Sequence, residues 1–145
     1  MADILHRVGT TAARDTVYQA LTTVGGLAAW WTADTEGSGE DVLRFRFGDV
    51  GGFDMKVLEL RPDTRVRWEV VDGPEEWVGT TVTFDLKQEG EWTIILFAHE
   101  GWREQVEFMN HCTTKWALFL MSLKSLVETG TGAPHPHDVR ISNWH

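Results

Sequence analysis

The chain has one cysteine, Cys112, so it cannot form an internal disulfide and its fold does not depend on an oxidising compartment. It has no basic run either: 22 acids against 13 bases give a net charge of −9. Nucleic acid is therefore excluded as a partner, because phosphate binding needs clustered Lys and Arg. No window approaches the ~18 consecutive apolar residues of a membrane span, so membrane insertion is not expected. The opening "MADILHRVGT" lacks the charged head and apolar stretch of a signal peptide, and a cytoplasmic location is expected. Common catalytic signatures are missing too. There is no G-x-S-x-G elbow, no phosphate-binding G-x-x-x-x-G-K-[ST] loop, and no G-x-G-x-x-G after a strand. "TGTGAP" has the glycines but follows a helical pattern, so it reads as a helix end and loop.

What is present is one domain's worth of chain. At 145 residues it can bury roughly two-thirds of its unfolded surface. Eight tryptophans are many for this length. Each offers a large apolar face and one N–H donor, suited equally to cores, interfaces and pocket walls.

The apolar pattern changes period twice. "ILHRVGT" (4–10) reads as a first strand. Ala13, Val17, Ala20, Leu21 and Val24 then recur at helical spacing, with Thr10 or Thr11 as the expected N-cap and Gly25-Gly26 as the expected stop. A second short helix carries Leu27, Trp30 and Trp31, and "TADTEGSGED" reads as a loop. From Val42 the period is two. Strands are expected at 42–47, 51–60, 65–71, 80–86 and 92–99, with Phe45, Phe53, Met55, Trp68, Phe84 and Phe97 on the inward side. The last of these is apolar on both faces, so something should cover it, either a partner subunit or the tail. From Trp102 to Glu128 the helical period returns, with Met109, Cys112, Trp116, Phe119, Leu120 and Leu123 on one stripe. At ~1.5 Å per residue that helix is about 40 Å long, enough to cross a small sheet. An antiparallel sheet with one apolar face and one long apolar-striped helix predict an α+β two-layer domain over 1–132, followed by a tail, 133–145, that is loose or adds a terminal strand.

The segments "VYQALTTVGGLAAWW", "GGFDMKVLELRPDTRVRWEV", "WVGTTVTFDL", "FAHEGW" and "KWALFLMSLKSLVETG" occur in an order that resembles the START-like (SRPBCC) superfamily. The branch it resembles is the one named after the activator of the heat-shock-protein ATPase. The resemblance covers roughly residues 4–132. It implies a helix-grip fold: a curved antiparallel sheet of about six strands wrapped around the long C-terminal helix, with two short helices after the first strand and an internal cavity. Members hold lipids, polyketides, hormones and other apolar molecules there, and a few do chemistry. This chain departs at Ala12-Ala13, where a proline is common, and at Lys115, where a glycine is common before Trp116. The resemblance does not include the extra N-terminal domain of the eukaryotic co-chaperone, which counts against carrying that role over.

His99 is the one titratable group that strand alternation aims inward with Thr93, Ile95 and Phe97. It is a weak catalytic candidate, set against the preferred reading of a buried, bonded core histidine. "HEGWR" fails as H-E-x-x-H because position 103 is arginine. Glu107 and His111 share a helix face but read as a solvated pair. His135, His137 and Asp138 have metal-ligand chemistry, yet one short segment offers too few fixed ligands, so no metal and no cofactor is expected. Cys112 on the apolar stripe reads as inert. Trp30 and Trp31 read as caps of the cavity mouth or as anchors of the short helices. Arg44, Arg46 and Asp54 read as outward-facing surface.

The preferred function is binding of an apolar small molecule between sheet and helix. Its expected cavity is Trp30, Trp31, Phe45, Phe53, Met55, Trp68, Phe84, Thr93, Ile95, Phe97 and His99, closed by Met109, Thr113, Trp116 and Leu120 of the helix. One alternative is a cavity enzyme of polyketide cyclase or dehydratase type, which needs an inward acid–base pair. Another is a protein-interaction or co-chaperone-like module using Trp77, Trp92 or Trp144, and a homodimer through the doubly apolar strand is a milder form of it.

Overall fold

The computed structural model describes residues 2–37 and 41–145. Seven strands form one antiparallel sheet: β1 (Ala2–Thr10), β2 (Asp34–Gly37), β3 (Val42–Arg46), β4 (Gly52–Arg61), β5 (Arg65–Asp72), β6 (Thr81–Glu89) and β7 (Trp92–Trp102). Their spatial order is β1-β7-β6-β5-β4-β3-β2. Consecutive strands from β2 to β7 pair with one another, and β1 then closes on the far side of β7, with Ile4 opposite His99. Asp63 (φ 58°) and Gly90 (φ 61°) supply the left-handed turn positions of the β4–β5 and β6–β7 hairpins.

Between β1 and β2 lie α1 (Arg14–Thr22) and α2 (Val24–Trp30), and after β7 comes α3 (Glu107–Thr129). The helix α3 lies along the inner face of the sheet. It buries Met109, Cys112, Trp116, Phe119, Leu120 and Leu123 against inward strand side chains such as Val66, Trp68, Phe84 and Phe97. Full burial of one such side chain stabilises the fold by about 1.5–3 kcal/mol. Gly130 ends α3 in the left-handed conformation (φ 86°), donating its N–H to Leu126 O. This is the α+β helix-grip arrangement that the resemblance implied.

Four local expectations are corrected. Gly25 and Gly26 do not stop a helix; they sit inside α2, which is capped by Thr23 accepting from Gly26 N. A Cβ at Gly26 would come within 2.7 Å of Ala20 Cα, so the close approach of α1 and α2 requires glycine there. Neither Thr10 nor Thr11 caps α1; the cap is Ala13, without a side-chain bond, and the Thr10 hydroxyl donates to Glu128. The expected loop contains edge strand β2, paired with β3, while its residues 38–40 lie outside the described ones. Trp102 does not open the long helix. Gly101 (φ 92°) kinks the strand, its N–H bonds Asp3 Oδ1, and Trp102 pairs opposite Ala2 before the chain turns into α3.

Candidate functional site

His99 is fully buried on β7 between the indoles of Trp77, Trp102 and Trp116, at ring-centroid distances of 4.7, 5.1 and 5.9 Å. Trp116 Nε1–H donates to His99 Nδ1 at 3.1 Å. An indole only donates, so Nδ1 is unprotonated and the proton is on Nε2. That N–H meets Thr80 Oγ1 at 2.8 Å, and the Thr80 hydroxyl in turn donates to Trp77 O. Burial pushes the imidazole from its ordinary 6.5 down to about 3. Both ring nitrogens are therefore engaged on a neutral ring, which leaves none free for a ligand or a proton.

The middle of the space between sheet and helix is filled. Trp30, Trp31, Phe45, Trp68, Phe84 and Phe97 interlock there with ring centroids 4.4–6.2 Å apart. Trp30 spends its N–H on Ala20 O at 2.9 Å. Open space remains at one end, as a recess of about 180 Å³. One wall is the 3-10 turn at Gly48–Val50 with Phe47 and Phe53; the other is α3, through Phe108, Cys112, Trp116 and Phe119. Trp77 forms its back, stacked on Trp116 with planes 10° apart. Trp77 arrives there because the loop after β5 folds inward on a Trp77 N–Pro74 O bond of 2.9 Å and a left-handed Gly79. It is therefore buried, not one of the exposed aromatics expected; Trp92 and Trp144 are 48% and 43% exposed.

The recess is apolar with a polar side formed by His111, Lys115 and His145. Burial, together with the charges of Lys115 and His145, lowers the His111 pKa. Burial pushes the Cys112 thiol up to about 12, so it stays protonated. Trp77 Nε1–H is buried and has no hydrogen-bond partner; the neighbouring Cys112 sulfur is a weak acceptor.

Beside the recess the tail is fastened down. His135 forms a parallel bridge with Thr32, donating its backbone N–H to Trp31 O. Lys115, buried on α3, reaches Asp138 Oδ2 and Val139 O, both at 2.7 Å. The Asp138 side chain is only 2% exposed and also touches His135 Nδ1 (3.2 Å) and His145 Nε2 (3.1 Å). Burial opposes ionisation of Asp138, but Lys115 and His145 outweigh it and hold the carboxyl below its ordinary range. His137 stays exposed, so the donors gathered here are His135, Asp138 and His145.

Of the residues expected to line a cavity, Trp31, Phe53 and Trp116 line the recess. Trp30, Phe45, Met55, Trp68, Phe84, Ile95, Phe97, His99, Met109 and Leu120 lie in the buried core. Thr93 is fully buried, donating to Ala12 O at 2.7 Å, and Thr113 bonds His6 Nε2 at 3.1 Å. Phe47, Trp77, Phe108, His111, Lys115, Phe119 and His145 were not anticipated as lining. Phe108, His111, Lys115 and Phe119 recur at helical spacing beside the apolar stripe, a signal present in the sequence.

Three comparisons bear on identity. No curated protein matches the chain. Among solved structures, the Aha1 dimer from Colwellia psychrerythraea is 44% identical with a TM-score of 0.84, over 91% of this chain and 100% of that one. Two more distant structures share the fold. DynU16, from the dynemicin biosynthetic locus, is 23% identical at TM-score 0.72, over 90% of this chain and 48% of that one. CalU16 from Micromonospora echinospora is 19% identical at TM-score 0.68, over 88% and 77%. Residues 11–128 match the family model described as Activator of Hsp90 ATPase homolog 1-like protein, and the chain belongs to that family.

Proposed function

We propose that the protein binds a small, flat, largely apolar molecule in the recess between the 3-10 turn and α3. The observation that carries this is an open aromatic-walled space beside an otherwise filled core, with the buried Trp77 indole N–H facing only the weak acceptor sulfur of Cys112. A cavity of roughly 150 Å³ admits benzene, so a recess of this size takes one or two rings. Apolar burial supplies most of the affinity, and an oxygen acceptor on the ligand satisfies Trp77 Nε1. The enzyme reading is weaker, because no carboxylate is among the described lining residues to pair with His111. A lone buried thiol suits a reducing compartment, and the cytoplasm remains the proposed location.

Tryptophan fluorescence titrated with 2-naphthol and with naphthalene tests the reading, alongside native mass spectrometry for co-purified molecules. Saturable binding, tighter for the naphthol and weakened by Phe119→Trp, is expected. No saturable binding and no co-purified molecule would remove the proposal.

We also propose that two copies associate through the outer face of β1 and β7, where Leu5, Trp92 and Leu96 are 67%, 48% and 38% exposed. The Colwellia relative was solved as a dimer, which supports this. Light scattering that finds a dimer, reduced to monomer by Leu96→Glu, is the expected result; a wild-type monomer at high concentration overturns it.

A further inference from the structure

The donor cluster on the tail carries an inference that stands apart from the ligand reading. His135 Nδ1, one Asp138 carboxylate oxygen and His145 Nε2 all lie within 4.8 Å of one another. We propose that these three groups bind one divalent transition-metal ion of the Zn²⁺ class, with solvent at a fourth position.

The donor set fits that chemistry. Two imidazole nitrogens and one carboxylate oxygen suit zinc and its neighbours rather than calcium or magnesium, which prefer oxygen ligands. The distances fit as well. A tetrahedral ion with bonds of about 2.0–2.1 Å holds its ligand atoms about 3.3 Å apart. His135 Nδ1 is 3.2 Å from Asp138 Oδ1, whereas His145 Nε2 is 3.1 Å from the other oxygen, Oδ2, which also holds Lys115. With one carboxylate oxygen as ligand, the other histidine–oxygen separation and the separation between the two ring nitrogens each have to close by no more than about 1.5 Å. Coordination requires each ring to carry its proton on the nitrogen facing away from Asp138.

Along the sequence, the short segment with His135, His137 and Asp138 supplies too few fixed ligands for a metal. The structure changes both terms. His145 replaces the exposed His137 as third donor, brought back by a turn in which Ile141 N–H donates to His145 O at 2.7 Å. The backbone of His135 is bonded on both sides, to Trp31 O and from Ala33 N, and its ring packs on Phe47 at 5.3 Å. Lys115 orients the carboxylate from outside, as outer partners of metal ligands do. Its positive charge also repels the ion, so affinity is set below that of a closed structural zinc site. With three protein ligands the site has the open position typical of zinc that meets small molecules, and His145 and Lys115 both border the recess.

The test is equilibrium dialysis of the full chain, purified without a metal-affinity tag, against Zn²⁺, with visible absorption of the Co²⁺-loaded protein. One bound equivalent and the strong visible bands of four-coordinate cobalt are expected. His145→Ala and Asp138→Asn should each weaken binding by at least about tenfold, the scale of loss caused even by outer partners. His137→Ala, on the exposed part of the same tail, should leave it unchanged. His145→Ala truncates a partly exposed side chain at the end of the tail and decides the matter if Asp138→Asn releases the tail. Absence of stoichiometric binding overturns the proposal. So does binding that survives His145→Ala, or that falls as much in His137→Ala as in His145→Ala.

Discussion

Trp116 Nε1 donates to His99 Nδ1 across 3.1 Å, so an indole on the long helix fixes the tautomer of an imidazole on the last strand. The bond joins the two layers of the domain at the point where the sequence most resembled an active site. Trp116, His99 and Thr80 act in series, and the polar side-chain atoms of these three residues are all bonded inside an aromatic shell. That arrangement makes His99 a structural group whose behaviour can be measured.

The first expectation concerns pH. Folded His99 has its pKa depressed to about 3, while the unfolded residue keeps about 6.5. Its contribution is thus complete above pH 6.5 and is lost as pH falls toward 3, because unfolding then takes up a proton. Between pH 7 and pH 5 this linkage removes about 2 kcal/mol of stability. Urea unfolding at the two pH values should show a drop larger by about that amount in the wild type than in His99→Gln.

A second expectation isolates the Thr80 bond. Thr80→Val keeps the shape but leaves His99 Nε2–H buried without an acceptor, at a cost of about 1–3 kcal/mol. Thr80→Ser should retain most of the stability. Equal losses in both variants, read from denaturation midpoints, would assign the effect to packing instead.

Cys112 provides a third. With its thiol pushed up to about 12 it holds almost no thiolate at pH 8. Iodoacetamide should leave the folded protein unmodified by mass spectrometry and alkylate it once in denaturant. Ready labelling of the native state would show that the recess opens to reagent.

The Lys115–Asp138 pair gives a fourth. Lys115→Met strands a carboxylate that is 2% exposed, and breaking such a pair costs about 3–5 kcal/mol where the structure cannot yield. Here the tail can yield. Hydrogen exchange should therefore rise sharply over residues 133–145 and stay unchanged in β6 and β7.

Much of the fold was legible because its elements repeat. The alternation Val66, Trp68, Val70 and the stripe Cys112, Trp116, Phe119, Leu123 specify buried faces without any knowledge of their partners. β2 was not legible. Its sequence "DTEG" has no apolar period, and it is a strand only because β3 offers it an edge. Gly25 and Gly26 misled for the opposite reason: local propensity breaks a helix there, but the close packing of Gly26 on Ala20 overrides it. The site divides the same way. Trp116 and Phe53 were visible as inward residues of regular elements. Trp77 and His145 are delivered by a loop and a tail whose paths are set by turns and tertiary bonds, which leave no periodic trace.

The pairing of β1 with β7 also has a temporal side. As the chain leaves the ribosome, the partner strand of residues 2–10 follows them only after five other strands and two helices. Such distant pairing must meet a large loop-closure entropy before it gains anything, which slows folding. Until Trp92–Trp102 emerges, Ile4 and Val8 have no sheet to enter, and the open edge of β6 has no neighbour. The interval before β7 arrives is when this domain is most open to wrong partners.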